Sequence, residues 1–293
     1  MIFLLGAEGQ VGYELQRTLA TLGPLHATSR ATLDLTNEAA IRAAVREMAP
    51  RWIVNAAAYT AVDAAESDPV AAHWLNAEVP RILAEEAVRT GAWLVHYSTD
   101  YVFDGTGTRG YVETDPVAPQ SVYGRTKALG EAAVRAVCAQ HLIFRVAWVY
   151  GVRGRNFLLT VRRLAGGGGP LRIVDDQVGV PTWSRAIAEA TAQVMAQRPG
   201  DALAGTYHMA GGGSCSWHGF AQAILAADAS AAGTAPVAVL PIATSAYPTP
   251  ATRPAWSVLN ASKLHDTFGV VLPAWDRQLA LCLDAPVAVG SVA

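Results

Sequence analysis

The stretch Met1-Ile2-Phe3-Leu4-Leu5-Gly6-Ala7-Glu8-Gly9-Gln10-Val11-Gly12 decides how this chain is read. Its first five residues are an apolar run that stops at Gly6, as a short strand buried in a parallel sheet does. A helical pattern, Val11–Leu22, opens within the glycine run. Gly6 permits the tight turn between the two elements. Gly9 lets the backbone approach a pyrophosphate, whose charge the helix N-terminus favours. Gly12 lets the helix lie close to the sheet. Glycines at these intervals are weak evidence alone. Between a first strand and a first helix they read as a dinucleotide-phosphate loop that includes Gln10 and Val11.

Working outward, strands are expected at Leu25–Thr28, Trp52–Asn55, Trp93–Ser98 and Leu142–Val146. Helices are expected at Glu38–Met48, Val70–Thr90 and Tyr123–Gln140, and Asp34-Leu35-Thr36-Asn37 supplies N-cap residues for the first of these. Strand and helix alternate through the first half. The fold class is therefore α/β, a Rossmann-type doubly wound parallel sheet. The second half is less regular. Helices are expected at Phe157–Leu164, Ser184–Gln197 and Trp217–Ala226, and strands at Leu171–Val174 and Gly205–Met209. Ala227–Pro236 reads as a small-residue loop and Thr244–Pro254 as an extended segment. The expected division is a dinucleotide-binding domain over 1–150, with later elements at about 171–212 interleaved into it. A smaller substrate-binding domain occupies 151–170 and 213–284. The tail from Ala285 has no periodicity.

The bulk numbers exclude several classes. With 293 residues, 52% of them hydrophobic, the chain has material for a large core and no disordered character. A net charge of −2 without a basic cluster argues against nucleic-acid binding. No apolar run approaches the roughly 20 residues that span a bilayer. The apolar start reads as a strand and not as a signal peptide. Cys138, Cys215 and Cys282 are few and widely spaced, as reduced thiols in a cytoplasmic protein are. His73, His96, His208 and His218 lack metal-ligand spacing and read as structural.

The end of the second strand selects between nicotinamide cofactors. An acidic residue there would bind the ribose hydroxyls of NAD, and a basic one the extra phosphate of NADP. The chain reads His26-Ala27-Thr28-Ser29-Arg30, with no acid. Ser29 and Arg30 therefore point to NADPH, with NADH as a second acceptable cofactor, and Asp34-Leu35 would lie near the adenine.

Only two lysines occur beside twenty arginines, and one of them, Lys127, stands four residues after Tyr123. On a helix these two share a face. A compact ammonium beside a phenol and a ribose is a job that a planar guanidinium fits poorly. A phenol beside a fixed cation is expected to give up its proton below its ordinary pKa of roughly 10, which makes a proton donor for a carbonyl under reduction.

Further segments carry a resemblance. Asn55-Ala56-Ala57-Ala58-Tyr59-Thr60-Ala61-Val62-Asp63, Ser98-Thr99-Asp100-Tyr101-Val102-Phe103-Asp104-Gly105, Phe144–Gly151, Asp176–Thr182, Thr206-Tyr207-His208 and Ala246–Pro254 join the glycine loop and the Tyr123/Lys127 pair. Together they resemble the extended short-chain dehydrogenase/reductase superfamily. More narrowly, and over nearly the whole chain, the sequence is similar to the dTDP-4-dehydrorhamnose reductase family. The resemblance implies hydride transfer from NADPH to the C4 keto carbon of dTDP-4-dehydro-6-deoxy-L-mannose. It implies Tyr123 as the proton donor and Lys127 as the group that binds the nicotinamide ribose and keeps Tyr123 acidic. Thr99 would hydrogen-bond the carbonyl oxygen. Ala57, Ala58 and Tyr59 would pass close to the cofactor. Thr60, Asp100 and Trp148 would border the sugar, and Arg253 would meet the diphosphate.

The sequence also departs from the family's pattern. Some members hold magnesium at a dimer interface through several glutamates. Glu14 stands in the expected position, but Arg185 and Ala285 replace the partners. No metal is expected, and a homodimer stays only a candidate assembly. Two other readings are carried alongside. One is another nucleotide-sugar epimerase or reductase of the superfamily. Dehydratases carry an Asp-Glu pair after the Thr, and Thr99-Asp100-Tyr101 lacks the Glu. The other is a non-catalytic, dinucleotide-binding regulatory subunit, which retention of Thr99, Tyr123 and Lys127 disfavours.

Overall fold

The computed structural model describes residues 1–284; the tail expected from Ala285 lies outside them. Strands β1 (Ile2–Leu5), β2 (Leu25–Thr28), β3 (Trp52–Asn55), β4 (Trp93–Thr99), β5 (His141–Val146) and β10 (Gly205–His208) form one parallel sheet in the order β10-β5-β4-β3-β1-β2. The doubly wound sheet expected from the alternation is what the structure shows. Successive side chains on a strand face opposite ways. Accordingly Ile2, Leu4, Val54, Val95 and Phe144 enter one buried cluster, and Phe3, Leu5, Ile53, Leu94 and Ile143 enter another. Helices α1 (Gln10–Leu19), α7 (Phe157–Ala165), α8 (Ser184–Ala196) and α9 (Trp217–Ala232) contribute to the first cluster. Helices α2 (Glu38–Met48), α5 (Val79–Thr90) and α6 (Val122–Val137) contribute to the second.

The glycine loop works by close approach. Gly6 has φ +78°, and a Cβ there would stand 2.6 Å from the backbone N of Ala57, where β3 ends. A Cβ on Gly12 would stand 2.0 Å from the Gly6 carbonyl oxygen, so only glycine lets α1 start against the loop. Asn37 caps α2 by accepting a hydrogen bond from the Ala40 N–H at 3.0 Å.

Two expected elements come out differently. The helix expected over Val70–Thr90 is broken into α4 (Pro69–His73), a wide π-type turn at Trp74–Glu78, and α5; the short α3 (Val62–Ser67) precedes it. Pro80 has no N–H to give the Asn76 carbonyl four residues back, so the turn widens. The loop expected over Ala227–Pro236 is helical as far as Ala232, where Gly233 at φ 65° closes α9. Small residues suit a loop, but most of those here are alanine, which has the highest helix propensity.

Among the described residues three two-stranded sheets lie beside the main one. They pair β6 (Val149–Tyr150) with β9 (Thr182–Trp183), β7 (Leu171–Val174) with β12 (Val239–Ile242), and β8 (Val178–Gly179) with β11 (Cys215–Ser216). Leu171–Val174, expected among the interleaved Rossmann elements, thus pairs outside the six-stranded sheet, whereas Gly205–His208 joins it and α8 packs on α1. Short helices α10 (Ser262–Phe268) and α11 (Trp275–Asp284) follow. Among the described residues no helix is long and apolar enough to cross a membrane. All three cysteines are free thiols.

Candidate active site

The strand order reverses direction between β1 and β3, and at such a point the loops leaving the carboxyl ends of the strands part to form a crevice. Here that crevice is a cleft of about 1220 Å³. It is larger than the roughly 300–1,000 Å³ of a usual small-ligand site, so it has room for two extended ligands side by side.

Gly6, Gly9, Gln10 and Val11 line its floor at the start of α1. Gly12 does not face the cleft; it is buried beneath Gly6. Ser29 and Arg30 follow β2, with Arg30 exposed at the rim, and Asp34 and Leu35 stand beside them. Ala57, Ala58, Tyr59 and Thr60 leave β3, Thr99 and Asp100 leave β4, and Trp148 leaves β5. Tyr123 and Lys127 reach in from α6, and Arg253 from the segment after β12. Apart from Gly12, every residue expected at the cofactor or the sugar lines this one cleft.

Ser121 starts α6 by accepting from the Gly124 N–H at 3.1 Å, which sets the helix phase so that Tyr123 and Lys127 face β4. The Thr99 hydroxyl faces the Tyr123 phenol. Thr99 Oγ1 donates to Asp100 Oδ1 at 3.0 Å and accepts from the Tyr101 N–H at 3.2 Å. Burial pushes the Asp100 carboxyl up to about 6, against the pull of the nearby Ser257 and Thr99 hydroxyls, of which Thr99 makes a hydrogen bond. Among the described residues Asp100 Oδ2 has no hydrogen-bond partner.

The charge relation of Tyr123 and Lys127 differs from the expectation. Lys127 Nζ donates to the Tyr97 carbonyl at 2.5 Å instead of facing the phenol. Burial holds the Tyr123 phenol above its ordinary range, with Thr99 alone pulling it down. Burial also lowers the Lys127 amine to about 8, against the charge of Glu131. In the ligand-free protein, then, desolvation outweighs any acidifying effect of Lys127 on Tyr123.

Several residues that line or support the cleft were not anticipated. Asn76 sits on the wide turn before Pro80, wholly buried. Its Oδ1 accepts from the Tyr59 N–H at 2.9 Å, and its Nδ2 donates to the Tyr59 carbonyl and to Thr126 Oγ1, both at 3.1 Å. It pins the cleft loop after β3 to α6. An Asn four places before a Pro inside an apolar helical pattern was the available signal. Asp63 binds Arg253 at 2.6 Å. Trp217, at the start of α9, stacks on Trp148 with ring centroids 3.4 Å apart, and Trp148 has a left-handed backbone, φ 43°. No local pattern foretells either pairing.

Glu14, the residue in the family's metal-holding position, lies 3.9 Å from Arg17, and Arg185 pairs with Glu189 at 3.0 Å. Ala285 lies outside the described residues. Among the described residues no three His, Cys, Asp or Glu side chains gather as a metal site.

Comparison with known proteins bears on this cleft as a whole. The family model described as "RmlD substrate binding domain" matches residues 1–287. A dTDP-4-dehydrorhamnose reductase of Burkholderia thailandensis is 48% identical, over 96% of this chain and 97% of that one. The chain belongs to the dTDP-4-dehydrorhamnose reductase family. Among solved structures, the Clostridium acetobutylicum dTDP-4-dehydrorhamnose reductase superposes with a TM-score of 0.90 at 38% identity, covering 97% of this chain and 98% of that one. The Bacillus anthracis enzyme of the same name, solved in complex with NADP, superposes with a TM-score of 0.89 at 34% identity, covering 96% and 98%. The family expected from the motifs is therefore the family found.

Proposed function

We infer that this chain is an NADPH-dependent dTDP-4-dehydrorhamnose reductase, converting dTDP-4-dehydro-6-deoxy-L-mannose to dTDP-L-rhamnose. The observation that carries the reading is the convergence of the Thr99 hydroxyl, the Tyr123 phenol and the Lys127 amine on one wall of the cleft. The residues fit the cofactor. A Cβ on Gly6 would fill the cradle beside Ala57, and Ser29 and Arg30 supply hydroxyl and guanidinium groups for a 2′-phosphate. When bound, NADPH supplies the hydride. The chain's part is to hold the dinucleotide on Gly6–Gly12 and the Ala57–Tyr59 loop, and to hold the sugar between them and the 151–170 and 213–284 segments.

Tyr123 is the proton donor to the developing C4 alkoxide. Burial suits this role, because a phenol held above its ordinary range stays protonated at neutral pH until negative charge grows beside it. Thr99 lies next to the same oxygen and stabilises the charge as it forms. Lys127 holds the nicotinamide ribose. Trp148, stacked on Trp217, and Thr60 and Asp100 border the sugar. Arg253 takes the diphosphate in place of Asp63.

The reading implies a cytoplasmic enzyme, in keeping with its three free thiols, and leaves a homodimer as the candidate assembly. The experiment is NADPH oxidation by the purified protein with the 4-keto sugar made in situ by the preceding epimerase. Turnover supports the reading. NADPH binding without turnover transfers the weight to another nucleotide-sugar ketone or to a regulatory role.

A further inference from the structure

Behind the cleft, three buried polar side chains form a row that ends on Lys127. Asn55 and His96 are cross-strand partners in the β3–β4 register, and Asn55 Nδ2 stands 3.2 Å from His96 Nδ1. His96 Nε2 stands 3.4 Å from Lys127 Nζ. All three side chains are buried, His96 completely.

One backbone N–H decides where the protons lie. Ala57 N donates to Asn55 Oδ1 at 3.2 Å. A backbone N–H cannot become an acceptor, so the carboxamide oxygen must face Ala57 and the NH2 must face His96. His96 Nδ1 therefore accepts, and the single proton of the neutral ring sits on Nε2, the nitrogen turned toward Lys127. An imidazole N–H meets the lone pair of a neutral amine well. It meets the N–H of an ammonium poorly.

We propose that His96, held in its Nε2–H tautomer by Asn55, is a positioning residue that hydrogen-bonds the neutral amine of Lys127 and so makes Lys127 the group that releases and regains a proton beside Tyr123. The proposal rests on the reading of Tyr123 as proton donor. Tyr123 gives its proton to the alkoxide and is left as phenolate. The Lys127 ammonium, one helical turn away and turned toward the Tyr97 carbonyl, replaces that proton through an intervening water and becomes an amine, whose lone pair His96 Nε2–H then covers. Solvent returns the proton to Lys127, so nothing is oxidised or reduced in the relay.

The surroundings agree. Lys127 is lowered to about 8 by burial, and the one charge opposing this is Glu131, on the next turn of α6. Glu131 is itself held by Arg145 from β5 at 2.7 Å and by Arg135 from α6 at 2.9 Å. His208 of β10 stands 3.4 Å from Arg145. Asp100, after β4, faces Thr99 and Ser257. His96 is held well below its ordinary range by burial and by the Lys127 charge, so its ring is neutral.

The lysine content makes the test direct. Lysine labelled with ¹³C at Cε gives two signals, from Lys127 and Lys263, which Lys263→Arg assigns. In the ligand-free protein the Lys127 signal is expected to titrate near 8. In His96→Gln, where the amide oxygen can turn toward the ammonium, its midpoint is expected to rise by about one pH unit, tenfold in proton affinity. An unmoved midpoint overturns the proposal. Long-range ¹⁵N correlation of labelled histidine, with the His96 signal identified by its loss in His96→Gln, is expected to show the Nε2–H tautomer. An Nδ1–H or charged ring at neutral pH overturns it. If the variant does not fold, Asn55→Asp, whose carboxylate would accept an Nδ1–H, supplies the assignment through its reversed tautomer, and the wild-type tautomer decides. Neither measurement uses turnover, so a protein with both signatures and no ketone reduction sinks the functional reading and leaves the His96–Lys127 relation standing.

Discussion

Asp63 and Arg253 are 190 residues apart in the chain, and their side chains meet at 2.6 Å on the wall of the cleft. The Arg253 guanidinium also donates to the Tyr101 hydroxyl at 3.3 Å, and Asp63 Oδ1 accepts from the Ala251 N–H at 3.2 Å. The start of α3 and the extended segment after β12 are thus tied together where the nucleotide sugar is proposed to lie. Asp63 is 42% exposed, so the pair itself contributes little stability, about 0–1 kcal/mol. Arg253→Leu is expected to leave the melting temperature within about 2 °C of the parent. Its KM for the nucleotide sugar should rise tenfold or more, since a charged hydrogen bond is worth about 1.5–3 kcal/mol. NADPH affinity should not change. Steady-state kinetics with each substrate varied separately checks this; an unchanged sugar KM removes Arg253 from the site.

Tyr123→Phe deletes the phenolic proton and little else, since the ring's edge-to-face contact with Tyr101 at 5.6 Å survives. We expect kcat to fall about 10²–10⁴-fold, the usual contribution of a positioned acid. NADPH binding, followed by fluorescence, should persist. A variant that keeps its kcat excludes Tyr123 as the donor.

The Asp100 carboxyl, raised to about 6, makes a stability contribution of known sign. A folded-state pKa above the unfolded one means that the folded protein binds the proton more tightly. Stability from this group therefore grows as pH falls through about 6 toward the unfolded value near 4, and is lost as pH rises. At pH 7 the ionised, buried carboxylate costs on the order of 3 kcal/mol. Asp100→Asn keeps the acceptor for Thr99 and removes that cost. It should melt higher than the parent at pH 7–8, with the difference shrinking at pH 4. A pH-independent difference in calorimetric melting temperature contradicts this account.

Removing Asn76 tests the wide turn. Asn76→Ala leaves the Tyr59 N–H and carbonyl without their partner, at a cost of about 1–3 kcal/mol. Urea denaturation should show that loss. The KM for NADPH should rise with it, because the Ala57–Tyr59 loop is no longer held to α6. Loss of stability with an unchanged cofactor KM confines Asn76 to a structural role.

Arg30 stands exposed at the rim with Ser29. Arg30→Ala is expected to raise the KM for NADPH about tenfold while leaving that for NADH unaltered, since only NADPH carries the 2′-phosphate. Equal effects on both cofactors place the phosphate elsewhere.

What the sequence determined by itself was whatever depends on residues close together in the chain. The Gly6–Gly12 loop, the Asn37 cap, the alternation of strand and helix, and the Tyr123/Lys127 spacing are local, and each was legible because its geometry closes within a turn or two. The local reading failed where a feature had two meanings. The alanines of Ala227–Ala232 serve loop or helix, and Pro80 sits inside an apolar pattern that looks like one helix and holds a wide turn. The tertiary structure alone decided the partners. Strand register sets His96 beside Asn55, the packing of α6 on β4 brings Lys127 to Tyr97, the approach of the 249–254 segment gives Arg253 to Asp63, and the packing of α9 lays Trp217 on Trp148. It also reversed the expected acidity of Tyr123, because a pKa follows from how completely the surrounding chain removes water from the phenol. Spacing along the sequence carries no record of that desolvation.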